Sequence, residues 1–187
     1  MMMFDLSCHA MLDIETLGRG PGCPILQISA CMFPSDNTPR SVGDLTNFNH
    51  YILQETTITL EKSTLLWWAG QPDFVRLLQR TEEEGDTIGS VINCLDHWLL
   101  RNNITYLWSH GATFDIPIVL YVWKELMTEE FPVPYWNFRD TRTLMDACGH
   151  NKLTEILPFP EGHKPHDALH DACYQANCMA KLLGELF

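Results

Sequence analysis

Apolar residues recur with a period of two near the N-terminus and a period of three to four further along, and this change lays out the elements. Residues 9–15 predict a first strand, in which Leu12 and Ile14 face one way while Asp13 and Glu15 face the other. Residues 24–33 predict a second strand and 48–53 a third. Gly18, Gly20, Pro21 and Gly22 supply the turn of a hairpin between the first two, and the polar stretch 34–44 leads to the third, giving an antiparallel meander.

From Leu60 the pattern is helical. Leu65, Leu66, Trp67 and Trp68 precede Gly70, and a short helix begins near Pro72 with Phe74, Val75, Leu77 and Leu78. The acidic stretch 81–86 is expected to break it. Ile88, Val91, Ile92, Leu95, Trp98 and Leu99 lie at three- and four-residue steps, the pattern of a helix packed on a sheet. Residues 105–110 predict a buried strand ended by Gly111, with Thr113 capping a helix over 114–127. Extended chain over 132–137, a short helix over 141–148 and a loop over 151–164 lead to a last helix over 168–186, capped by Asp167. Strands first, then helices alternating with strands, predict an α/β fold with a mixed sheet.

Composition narrows the setting. A chain of 187 residues suits one domain, 1–187, with a substantial core. A hydrophobic fraction of 45% with 19% charged residues is that of a soluble globular protein. The longest apolar candidate, from Ile116 to Trp123, is far too short to span a membrane. No positive region precedes an apolar stretch at the N-terminus, so the expected location is cytoplasmic. Seven cysteines without a C-x-x-C pair argue against a disulfide framework and a zinc ribbon.

The formal charge of −12 has the wrong sign for non-specific attraction to a polyphosphate. Two divalent ions held by carboxylates would leave about −8 overall and reverse the field locally.

Asp13 and Glu15 are where such ions would bind. On a strand they share a face, and half-buried like charges are costly unless a cation compensates them. An edge strand running into a solvated turn is the plain alternative. Asp115 at the start of one helix and Asp171 in the first turn of another are favoured there by the helix dipole alone, yet both sit where strand ends of an α/β sheet form ligand sites. His163, His166 and His170 cluster around Asp171, and a histidine on a loop beside a metal has the mobility and pKa of a general base.

Three stretches together, Asp13-Ile14-Glu15-Thr16-Leu17-Gly18, Ser109-His110-Gly111-Ala112-Thr113-Phe114-Asp115 and His166-Asp167-Ala168-Leu169-His170-Asp171, resemble the motifs of the DEDD superfamily of 3′ to 5′ exonucleases, in its DEDDh branch. The last fits the H-x-A-x-x-D form and selects His166 among the histidines. A narrower similarity, to phage and prophage exonucleases of the T4 DexA type and to mycobacterial-type relatives acting on RNA, rests on Ser63-Thr64-Leu65, Trp67-Trp68 and Gln71, and on residues 136–143.

The resemblance implies a ribonuclease H-like fold, a central five-stranded mixed sheet flanked by helices. It implies that Asp13, Glu15, Asp115 and Asp171 hold two Mg²⁺ or Mn²⁺ ions and that His166 takes the proton from the attacking water. The substrate would be single-stranded nucleic acid with a free 3′ end, DNA favoured and RNA allowed, released as nucleoside 5′-monophosphates. Dimeric relatives make a homodimer compatible with it. Thr16 and Leu17 resemble positions beside the terminal nucleotide, Leu17 packing on its base. Trp67 and Trp68 would offer a stacking platform, each stack worth about 1–3 kcal/mol, although adjacent helical residues point about 100° apart, which puts one of them in the core. Arg139 and Arg142 would reach phosphates or pair with Asp140.

Two other readings compete. A zinc hydrolase would use His166 and His170 with His163 or Asp171, leaving Asp13, Glu15 and Asp115 unexplained. A non-catalytic nucleic-acid-binding module on the same fold would have no need of the full acid and histidine set.

Overall fold

The structure, a computed structural model, describes residues 9–33, 40–54 and 60–186. The period-two segments form β1 (His9–Thr16), β2 (Ile25–Phe33) and β3 (Asn47–Tyr51), paired antiparallel as a meander. β4 (Tyr106–Ser109) joins β1 in parallel and β5 (Phe138–Asp140) joins β4 in parallel, so the five-stranded mixed sheet has the order β3-β2-β1-β4-β5. Around it run α1 (Lys62–Trp68), α2 (Phe74–Glu83), α3 (Ile88–Arg101), α4 (Asp115–Leu126), α5 (Thr141–Ala147) and α6 (Ala168–Leu186).

Strand alternation splits the sheet into two different faces. Ala10, Leu12, Ile14, Ile28, Ala30 and Phe48 share one buried cluster with α3 and α4 residues such as Val91, Ile92, Ile116 and Val119. Opposite each other on the second face are Met11 and Cys31, Asp13 and Ser29, Glu15 and Gln27. That face is apolar at one end, where Met11, Cys31, Phe33 and Trp108 pack with Cys178, Met179 and Leu182 of α6. It is polar at the other, where α6 begins. Burial of the apolar end at about 25 cal/mol per Å² anchors the helix and thereby fixes what its first turns bring to the polar end.

The polar end is wired rather than solvated. Gln27 and Ser29, both fully buried, donate to Asn49 Oδ1 at 2.9 and 2.7 Å, and the Gln27 Oε1 accepts the Ala168 N–H at 3.1 Å. Asp167 accepts the N–H groups of Leu169 and His170, so the expected cap of α6 is present.

Three local expectations differ from the fold. The acidic stretch does not end α2 at residue 81, because Thr81 is buried, donates to the Leu78 carbonyl at 2.7 Å, and lies within the turn spanned by the Arg80–Glu84 pair. Thr113 is exposed and does not cap α4. The loop is held instead by Asp140, whose Oδ2 accepts the Ala112 N–H at 2.6 Å while its Oδ1 caps α5 through Thr143 N–H at 2.9 Å. The extended chain expected over 132–137 lies further along: Tyr135–Asn137 form a 3-10 turn, and β5 follows at Phe138–Asp140, three residues that offer no repeat and become a strand only by pairing to β4.

Candidate active site

Four carboxylates converge from three elements. β1 aims Asp13 and Glu15 at α6, α4 begins at Asp115 just beyond the end of β4, and α6 carries Asp171 in its first turn. Gly111 makes the turn between β4 and α4 possible: its φ of 111° is open to glycine, and the Arg142 guanidinium lies 3.7 Å from where a Cβ would stand.

Burial and mutual repulsion make ionisation of these acids costly. Burial, followed by the charges of Asp115, Glu15 and Asp171, pushes the Asp13 carboxyl well up against the opposing hydrogen bond from Gln175. Glu15 is pushed up by burial and then by Asp171, Asp115 and Asp167. Burial raises Asp115 to about 7, opposed by backbone N–H groups and by Arg142, and raises Asp171 to about 7, opposed by the His166 N–H. Hard oxygen donors short of positive charge match what Mg²⁺ or Mn²⁺ requires.

His166 is set apart from its neighbours by backbone geometry. Its φ is 61°, a left-handed conformation uncommon for a residue with a side chain, and its N–H donates to Asp171 Oδ2 at 2.8 Å. The ring meets Trp67 edge-on at 4.8 Å, and ligand atoms of Glu15, His166 and Asp171 all lie within 4.8 Å of one another. Burial lowers its pKa, favouring the uncharged imidazole, against the opposing charge of Asp73. Because His166 precedes α6, it has no helical i, i+4 relation to His170, which removes the spacing a zinc site would use. His163 stands with Nε2 3.1 Å from Asp171 Oδ1 but out of line for a hydrogen bond, and it stacks on Phe159.

Two cavities flank the acids. The smaller, about 450 Å³, is lined by Glu15, Thr16, Ser63, Thr64, Trp67 and Phe114 among others. The larger, about 680 Å³, runs from Asp171, His166 and Gln175 past His110 and Arg142.

The sequence-predicted binding residues divide. Trp67 is 46% exposed on the smaller cavity, as a stacking platform requires. Trp68 is 1% exposed, stacks on Phe74 and donates its Nε1–H to the Thr16 carbonyl at 2.8 Å, so it braces the motif strand and has no free face for a base. Leu17, 3% exposed, shares a core cluster with Leu26, Trp68 and Leu77 and is likewise closed to a base. Arg142 is exposed beside the cluster. Arg139 is tied back instead: Nη1 donates to the carbonyls of Trp136 and Phe138 at 2.9 Å each, and its Cζ lies 4.7 Å from the Tyr106 ring centre. Sequence reading missed Gln175, whose Nε2 donates to Asp13 Oδ1 at 2.8 Å. The signal was there, since Gln175 follows Asp171 by four residues and shares its helical face.

The model of the 3′-5′ exoribonuclease Rv2179c-like domain family matches residues 8–183. An exodeoxyribonuclease of Enterobacteria phage T4 is 24% identical over 195 residues, covering 90% of this chain and 84% of that protein. Among solved structures, cell-death related nuclease 4 superposes with a TM-score of 0.62 at 16% identity, over 95% of this chain but 64% of that one, so the chain spans under two thirds of its length. The nuclease domain of 3′hExo, a DEDDh family member bound to rAMP, gives 0.57 at 16% identity over 95% and 92% of the two chains. Pop2p of S. pombe, in an Mg²⁺ and Mn²⁺ bound form, gives 0.61 at 14% identity over 93% and 82%. At these identities the likeness establishes the ribonuclease H-like fold.

Proposed function

The chain belongs to the family of 3′-5′ exoribonuclease Rv2179c-like domains and is a 3′ to 5′ exonuclease, and from that premise we propose that it removes nucleoside 5′-monophosphates from free 3′ ends of single-stranded DNA or RNA, using Asp13, Glu15, Asp115 and Asp171 to hold two divalent ions. The observation that carries this reading is the convergence of four carboxylates from β1, α4 and α6 between two cavities, with ligand atoms of Glu15, His166 and Asp171 within 4.8 Å of one another. When bound, Mg²⁺ or Mn²⁺ supplies positive charge to the scissile phosphate and to the departing 3′ oxygen.

The protein's own groups do the rest. A neutral His166 nitrogen accepts the proton of the attacking water, with Trp67 setting the ring's orientation. Trp67 and Phe114 flank the terminal base, and Arg142 offers its guanidinium to phosphate oxygens. Gln175 orients Asp13. Gln175→Met, close in volume but without the donor, is expected to weaken Mn²⁺ binding about 10–100-fold in a calorimetric titration; wild-type affinity would remove that role.

The family description names an exoribonuclease and the phage T4 relative is an exodeoxyribonuclease, so the test uses both polymers. With Mg²⁺, 5′-labelled DNA and RNA oligomers should shorten stepwise from the 3′ end, and a blocked 3′ hydroxyl should stop the reaction. Degradation unaffected by the block would overturn the polarity.

A further inference from the structure

The larger cavity extends well past the residues that the catalytic reading uses. At its inner end Gln175, 6% exposed, has no hydrogen-bond partner at Oε1, and His163, with a side chain 4% exposed, has none at Nδ1. Buried polar atoms without partners are costly in a native fold and mark places where a bound molecule completes the set. Further out, Arg142 and Lys152 are both exposed on the lining, and they count among only 12 Lys and Arg in a chain with 24 Asp and Glu. Asp146 is the acid on that outer stretch. Phe159 is 54% exposed while its ring is held by His163, stacked at 4.7 Å and 15°, and by Tyr174 at 4.7 Å. An exposed aromatic ring held in place in a groove that also carries two cations is an arrangement that takes a single-stranded base and its phosphates.

The two cavities converge on the acids, Glu15 lining one and Asp171 the other, with ligand atoms of the two within 4.8 Å of each other. A strand whose scissile phosphate sits on those carboxylates must occupy both. One side of the cut bond is a single nucleotide, which suits the smaller cavity; the other is the remaining strand. We propose that the larger groove binds the nucleotides on the 5′ side of the scissile phosphate, with their phosphates against Arg142 and Lys152 and one unpaired base on Phe159. This rests on the exonuclease reading and adds to it how far along the strand the protein holds its substrate and which residues hold it. A paired base cannot stack on Phe159, so the groove favours single strands.

The test compares thymidine 5′-monophosphate p-nitrophenyl ester, which fills only the terminal-nucleotide side, with oligonucleotides of two, four and eight residues at fixed salt and Mg²⁺. In the wild type, KM falls from the dinucleotide to the tetranucleotide. In Lys152→Ala/Phe159→Ala, the ratio of kcat/KM for the tetranucleotide to that for the ester falls about tenfold, through KM, the mark of lost uniform binding. Lys152→Glu alone, a surface change that leaves the Phe159 packing intact, moves the ratio the same way and steepens with falling salt. A ratio equal to wild type in both variants, or a wild-type KM independent of length, overturns the groove assignment. A wild type that cleaves neither ester nor oligonucleotide overturns the exonuclease reading instead.

Discussion

Asp13→Asn is expected to abolish cleavage while making the metal-free protein more stable. Loss of one carboxylate removes a ligand and several kcal/mol of charge stabilisation, and each 1.4 kcal/mol is tenfold in rate, so activity should drop by roughly 10³-fold or more. The fold has no matching need for the charge. Asp13 is pressed by burial and by Asp115, Glu15 and Asp171, and the asparagine Oδ1 still accepts from Gln175 Nε2. Removing a like charge from that cluster relieves repulsion, a trade of stability for function located in one residue. Kinetics with labelled oligomers and calorimetric melting in EDTA at pH 8 check both halves. Residual activity of a few per cent, or a melting temperature below wild type, would contradict the assignment.

The second large effect is on stability against pH. Asp115 and Asp171 have folded pKa values of about 7 against an ordinary 3.8, and Asp13 and Glu15 are raised well above their ordinary values. Between the unfolded and folded pKa values the native state binds more protons than the unfolded chain, so stability falls as pH rises through that window, by about 1.4 kcal/mol per pH unit for each such group. Histidines oppose this below their own unfolded pKa. Burial lowers His50, His110, His163, His166 and His170, so the unfolded chain binds more protons there and stability falls as pH drops below 6.5.

The metal-free protein should therefore be most stable on the slightly acid side of neutrality and lose on the order of 2–4 kcal/mol by pH 8, about 10 °C in melting temperature for a chain of this size. Saturating Mg²⁺ or Mn²⁺ should flatten that decline, because an ion that binds the native carboxylates competes with their protons and stabilises the fold by mass action. Melting curves from pH 6 to 8 with EDTA or Mn²⁺ test this, and parallel curves under the two conditions would contradict it.

Much of the candidate site was legible because its signals are local. Asp13 and Glu15 declare a shared face through strand alternation, and Asp171 with His166 lies in one short motif. Trp67 and Trp68 illustrate the limit. Both are tryptophans on one short helix, and only the position of α1 against Thr16 decides that Trp68 is core while Trp67 faces a cavity. Arg139 and Arg142, three residues apart, diverge for a like reason: one is drawn back over Tyr106 by strand pairing, and the other begins a helix beside Gly111.

The sequence by itself determined the α/β character, since periodicity is a property of residue type and spacing, and its three motifs, through their resemblance to the DEDDh pattern, singled out the four acids and the histidine proposed here as ligands and base. Tertiary structure decided the fifth strand, the burial of Leu17 and Trp68, the bond from Gln175 to Asp13, and the two cavities that give the site a direction. Each of these depends on contacts between residues far apart in the chain, such as Gln27 with Ala168 and Asp13 with Gln175. The packing of α6 on the apolar end of its sheet face brings those partners within reach, and no local pattern records that distance.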